Sequence, residues 1–209
     1  MTRKLLTAIF LLLCLAAYAP PVVSADGTAG LILGGSDKSP VKLEVFSDFE
    51  CPACAHFFLN AITNVIEDFK GSVCVIYYEF PLPMHKYGRP AALYATAAAR
   101  LGDQQKLLTV FKTLFADQDK WAKDGRLEAS VSKALSSEDL QKLKSIMETE
   151  SVSIEREVDK DIKVGTDKGI NQTPTILLTH AGKQERVTIP SNVRDMYMLL
   201  SGRLNGLLK

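Results

Sequence analysis

Three features of the sequence predict an α/β protein in which a mixed sheet is interrupted by a block of helices. Two β-prone apolar runs, 41–47 and 73–80, flank a segment with helical spacing. Residues 91–168 then repeat apolar positions at helical intervals with no strand pattern. Strand patterns return only at 173–179 and 185–189, ahead of a last amphipathic helix. The order β, α, β, helical block, β, β, α keeps every connection short and conventional.

Taken in order, residues 1–25 have the form of a cleaved secretory signal peptide. Arg3 and Lys4 start it, Leu5 to Ala19 is a mostly apolar run of 15 residues, and Val23-Ser24-Ala25 supplies small residues for cleavage. A membrane-spanning helix needs roughly 20 apolar residues, more than this run provides. Residues 26–40 carry four glycines and a proline, namely Gly27, Gly30, Gly34, Gly35 and Pro40, and read as a loose lead-in with a short strand at Leu31-Ile32-Leu33. The run Val41 to Phe46 is the first long strand. From about 51 to 70, Phe57, Phe58, Ala61, Ile62, Val65, Ile66 and Phe69 recur at helix spacing, and Gly71 supplies the stop. Val73 to Phe80 is almost continuously apolar, as in a strand covered on both faces. Pro81-Leu82-Pro83 ends it, and Met84 to Arg89 forms a polar loop.

A helical block occupies about 82–169. Ala91 to Arg100, the stripe Leu107–Phe115, Leu127 to Leu135, a helix opened by Ser137 and the charged segment Val152 to Lys168 are its helices. Trp121 falls in a polar linker, and 152–168 is expected to be a solvated face. Beyond Gly169, Thr173 to Thr179 and Glu185 to Ile189 pair as a hairpin across Ala181-Gly182-Lys183, and Asn192 to Leu208 is the terminal helix.

Composition narrows the function classes. The 209 residues suffice for one sizeable domain or two small ones, and 46% hydrophobic content suits a packed core. The formal charge is +1, and falls to −1 when Arg3 and Lys4 leave with the signal, which argues against nucleic acid as a partner. The remaining chain holds Cys51, Cys54 and Cys74. Three cysteines do not make a disulfide-stapled scaffold; one redox pair and one buried thiol fit.

The redox pair is Cys51-Pro52-Ala53-Cys54, at a junction from strand to helix. Unpaired backbone N–H groups and the helix dipole favour thiolate at Cys51, so its pKa is expected to fall from about 8.5 toward the range of about 3.5–7.5. Pro52 suits the first helical turn. Cys54, one turn in, is expected to be more buried and less acidic. An inert disulfide would close too short a loop to stabilise the chain much. A metal site would draw on Cys51, Cys54 and His56, fewer than the four ligands of structural zinc, so neither metal nor cofactor is expected. Cys74 reads as a small buried hydrophobe, His85 as a loop residue and His180 as an exposed turn residue.

The motif and element order resemble the DsbA-like branch of the thioredoxin-fold oxidoreductases. The stretches that carry the resemblance are Phe46 to Cys54, Phe80-Pro81-Leu82-Pro83-Met84-His85 and Thr173-Pro174-Thr175. It implies a thioredoxin-like fold with an inserted helical domain and disulfide exchange at Cys51 and Cys54. It also implies a cis-proline at Pro174 and a substrate-binding backbone at Thr173. Many members bury an acid six residues before the first cysteine. That position is Val45 here; Glu44 is one residue off and points to the opposite face by strand alternation. Asp48, Glu50 and Glu79 are the candidate substitutes. Ala53 stands where the most oxidising members have histidine.

The expected function is that of a periplasmic or secreted monomer that introduces disulfides into unfolded or partly folded exported proteins and is re-oxidised by a membrane redox partner. Two other readings are a reductase or isomerase kept reduced by a membrane donor, and a chaperone-like binding module without turnover. Family potentials run from about −270 mV for thioredoxin to about −120 mV for DsbA, a gap of about 7 kcal/mol, so small effects at the motif decide between the first two.

Overall fold

A computed structural model describes residues 29–189 and 194–209 of the chain. The signal-peptide segment 1–25 and residues 192 and 193 of the expected last helix lie outside the described residues.

The sheet has five strands in the order β1-β3-β2-β4-β5. These are β1 (Leu31–Gly34), β2 (Val41–Ser47), β3 (Val73–Glu79), β4 (Thr175–His180) and β5 (Lys183–Val187). β2 and β3 run parallel, while the β1–β3, β2–β4 and β4–β5 pairs are antiparallel. The crossover between the parallel strands is a helix in three pieces: α1 (Pro52–Phe57), a π turn (Phe58–Ile62) and α2 (Thr63–Asp68). The expected uninterrupted helix therefore carries one wide turn. Gly71 ends it in the left-handed conformation, φ 79°, which only glycine adopts at little cost.

Six helices separate β3 from β4: α3 (Gly88–Ala99), α4 (Gln104–Ala116), α5 (Gln118–Asp124), α6 (Leu127–Ala134), α7 (Ser137–Thr149) and α8 (Ser151–Asp167). The last helix is α9 (Arg194–Leu207). Strand alternation divides the apolar residues between two cores. Val45, Tyr77 and Ile176 face the larger one, which they share with Phe49, Phe58 and Phe111; Phe46, Tyr78, Phe80 and Leu177 form a smaller one on the other face.

Four sequence expectations change. Trp121 lies in helix α5, not in a linker; it is 1% exposed and its indole N–H donates to the Leu114 carbonyl at 2.7 Å. A seven-residue helix held by one buried side chain shows no periodicity to read. β5 begins at Lys183 because Ala181 (φ 48°) and Gly182 (φ 75°) make a two-residue turn. His180 is the half-buried last residue of β4, not an exposed turn residue. Helix α8 has a buried face of Ile154, Val158, Asp161 and Gly165. A Cβ at Gly165 would come within 2.5 Å of the Phe80 ring, so the glycine is what lets α8 approach the sheet.

Candidate redox site

The site begins where β2 runs out of partners. Beyond Ser47 the chain turns through Asp48 and Phe49, and Cys51 takes an extended backbone, φ −78° and ψ 118°, as the N-cap of α1. The Cys51 carbonyl accepts from the N–H groups of Cys54 at 3.0 Å and Ala55 at 3.1 Å, the first bonds of the helix. Pro52 occupies the first turn and is exposed with Ala53, while Cys51 is 7% and Cys54 0% exposed. Both are free thiols. The motif therefore presents one sulfur at the rim and hides the other beneath it.

The two thiols are pushed apart in acidity. Cys51 is lowered to about 6, chiefly by the hydrogen bond from the Cys54 side chain; burial opposes this, and the Cys54 N–H, the Thr173 side chain and the Ala53 N–H add to it. Cys54 is raised well above the ordinary thiol value, first by burial and then by its neighbour Cys51, against pulls from the Asp48 N–H and the Ser47 side chain.

Thr173 and Pro174 lie across from Cys51, joined by a cis peptide bond. The Cys51 thiol donates to the Thr173 carbonyl at 3.5 Å. The Thr173 hydroxyl is buried without another partner, so it is available to donate to a Cys51 thiolate. A cleft of about 320 Å³ opens beside Pro174, lined in part by Gln172, Thr175 and Arg186. All six residues that the sequence nominates thus meet at one end of the sheet.

The acids separate clearly. Val45 is in the larger core. Glu44 faces the other way, paired with Lys168 at 3.1 Å and accepting from Gln184. Asp48 and Glu50 are occupied by hydrogen bonds, the latter accepting from the Tyr87 N–H. Glu79, opposite Ser47 on the parallel rung, is 1% exposed, and neither carboxyl oxygen has a partner. Burial raises it well above the usual carboxylate range, and Asp161 and Asp48 raise it further. Of the three candidate acids, only Glu79 is buried with both carboxyl oxygens unpartnered.

Sequence reasoning missed two supports. Gln118, at the start of α5, donates to the carbonyls of Phe49 and of Cys51, the latter at 3.0 Å. Asp161, in the segment read as solvated, accepts from the N–H groups of Gly30 at 2.7 Å and Glu79 at 2.9 Å, and burial raises it to about 7. Neither is signalled by local pattern, since each partner is more than sixty residues away. Among the described residues, no group of three or more His, Cys, Asp or Glu side chains is placed to hold a metal ion. His56 instead is exposed and contacts Asn60. Cys74 is fully buried and raised to about 11 by burial.

Comparison with known proteins agrees with this geometry. The thioredoxin family model matches residues 28–194. "Probable disulfide bond formation protein D" of Bacillus cereus is 27% identical over 135 residues, covering 61% of this chain and 60% of that protein. The match thus spans about three fifths of the relative's length. The crystal structure of the thiol-disulfide exchange protein alpha-DsbA2 from Wolbachia pipientis has a TM-score of 0.65 at 19% identity, over 83% of this chain and 85% of that one. BdbD from Bacillus subtilis, in its oxidised form, has a TM-score of 0.60 at 23% identity, over 84% and 91%. The match of that model over most of the chain, with the five-stranded mixed sheet and the cysteine pair at a helix N-terminus, shows that the chain belongs to the thioredoxin family.

Proposed function

We propose that this chain is an exported protein thiol–disulfide oxidoreductase that acts as a dithiol oxidase on unfolded or partly folded extracytoplasmic proteins. The observation that carries the reading is the split in acidity between Cys51, lowered to about 6, and Cys54, raised. A stabilised Cys51 thiolate favours the reduced enzyme and makes Cys51 the better leaving group, so the oxidised enzyme gives its disulfide away.

In the forward reaction a substrate thiolate attacks the Cys51 sulfur. The Cys51–Cys54 bond breaks and Cys54 leaves as a thiolate, which its buried site drives to take up a proton; Glu79 is the group we assign to supply it. The substrate's second thiolate attacks its own sulfur in the mixed disulfide and expels Cys51. Two electrons pass to the enzyme and the substrate gains a disulfide. Thr173 and Pro174 hold the substrate strand beside Cys51. A membrane redox partner then re-oxidises the pair, and the enzyme works as a monomer in the periplasm or outside the cell, with residues 1–25 as the export signal.

Ala53 in place of a histidine favours a second reading, a reductase or isomerase kept reduced by a membrane donor. Equilibrating the purified chain against glutathione separates the two. A potential near about −120 mV marks a disulfide donor, one near about −230 mV or below marks a reductase, and no reversible transition marks an inert pair.

A further inference from the structure

The redox loop is held by a fastening to the segment between β3 and α3. The Asp48 side chain is 0% exposed. One of its oxygens accepts from the Glu50 N–H at 2.8 Å; the other accepts from the Leu82 N–H at 2.7 Å and faces His85 Nδ1 at 2.6 Å. A carboxylate only accepts, so Nδ1 carries the proton of this contact. Gly88, the first residue of α3, is packed so closely that a Cβ there would lie 2.5 Å from the carboxylate. A second carboxylate, on Glu50, accepts from the Tyr87 N–H. Residues 48–50 are thereby knitted to residues 82–88.

What this fastening holds is the backbone bonded to both cysteines, at the main chain of Cys51 and at the sulfur of Cys54. The Asp48 carbonyl accepts from the Cys51 N–H at 3.1 Å, and the Asp48 N–H interacts with the Cys54 sulfur. Two of the donors on the carboxylate are main-chain groups placed by the chain itself. Among the described residues, His85 is its one side-chain donor, and its ring is only 21% exposed. Without it, a fully buried carboxylate would keep two neutral donors, which leaves its charge poorly compensated close to the reacting sulfurs.

We propose that His85 is a positioning residue for disulfide exchange at Cys51: by donating to Asp48 it holds the loop that contacts both cysteines and offsets the negative charge that would otherwise disfavour the Cys51 thiolate. The inference rests on the redox function proposed above. It assigns to the loop between β3 and α3 a part in setting the reactivity of a pair more than thirty residues away in sequence.

The test uses the whole mature chain. Two loss variants, His85→Ala and His85→Phe, remove the donor with different changes in bulk, so that a folding failure in one leaves the other. His85→Asn retains an amide N–H near the position of Nδ1. For each variant with native circular dichroism, the reduction potential is measured against glutathione and the Cys51 pKa from thiolate absorbance. The loss variants are expected to shift the equilibrium about tenfold toward the enzyme disulfide, a potential more negative by about 30 mV for this two-electron couple, and to raise the Cys51 pKa. His85→Asn is expected to restore most of both. Loss variants within about twofold of the parent, or an Asn variant shifted as far as they are, would overturn the proposal. A parent chain with no reversible transition would instead overturn the redox function itself, and this inference with it.

Discussion

Thr173 shows how much one hydroxyl contributes at the site. It is buried, has no other partner, and lowers the Cys51 pKa. A hydrogen bond to a charged group is worth roughly 1.5–3 kcal/mol, or about one to two pKa units. Thr173→Val is therefore expected to raise the Cys51 pKa by at least about one unit, read from thiolate absorbance against pH; an unchanged value would remove the hydroxyl from the site. Cys51→Ala is expected to abolish turnover, and client binding that survives with full activity in cells would point to a non-redox binder. Glu79 carries the opposite sign. Because its folded pKa is raised, the unfolded chain ionises first as pH climbs through about 4.5, and stability falls by up to about 1.4 kcal/mol per pH unit until the folded group ionises. Glu79→Gln removes that slope, so the variant should gain on the parent in urea denaturation as pH rises from 5 to 7.

Helix α4 is the element that ties the inserted helices to the redox half. Its N-terminus is capped by Asp103, which accepts from the N–H groups of Gln105 and Lys106. Its Phe111 ring lies 5.0 Å from Phe49, 5.7 Å from Phe58 and 4.8 Å from Tyr77. Phe49 belongs to the redox loop, Phe58 to its helix and Tyr77 to β3, so one side chain bridges three elements. Phe111→Ala should cost about 3–5 kcal/mol of unfolding free energy, visible as a lowered denaturation midpoint, whereas Asp103→Ala should cost only about 1 kcal/mol. Equal losses from the two would mean that the aromatic cluster does not hold the halves together.

For the whole molecule, the cysteine pair makes stability depend jointly on redox state and pH. In the reduced protein Cys51 titrates near 6 when folded and near 9 when unfolded, so the unfolded chain binds the extra proton between those values. Stability should rise across that window and be lost as pH falls through about 6. Above 9, Cys54 reverses the trend, because its folded thiol holds the proton that the unfolded one releases. The oxidised protein has neither of these thiols, so it should lose the rise between 6 and 9 and keep above 9 only the fall that Cys74, raised to about 11 by burial, supplies in both forms. Parallel denaturant titrations of both forms from pH 5 to 10 check this; identical profiles would mean that the thiolate is not stabilised by the fold.

Short-range patterns in the chain encode much of this architecture. Alternation and helical spacing marked the strands and most of the helices, and turned Glu44 away from Val45. The Cys51–Cys54 spacing after a strand marked the chemistry, and resemblance supplied Thr173 and Pro174. Which acid stays unpartnered follows from the folded arrangement, because Asp48, Glu50 and Glu79 look alike in sequence but differ in their distant donors. That arrangement also decided the place of His85, Gln118 and Asp161, whose partners lie 37, 67 and 82 residues away. Local periodicity reports which face of an element is buried; it carries no information on which buried polar atoms find partners. That is settled when the inserted helices close on the sheet.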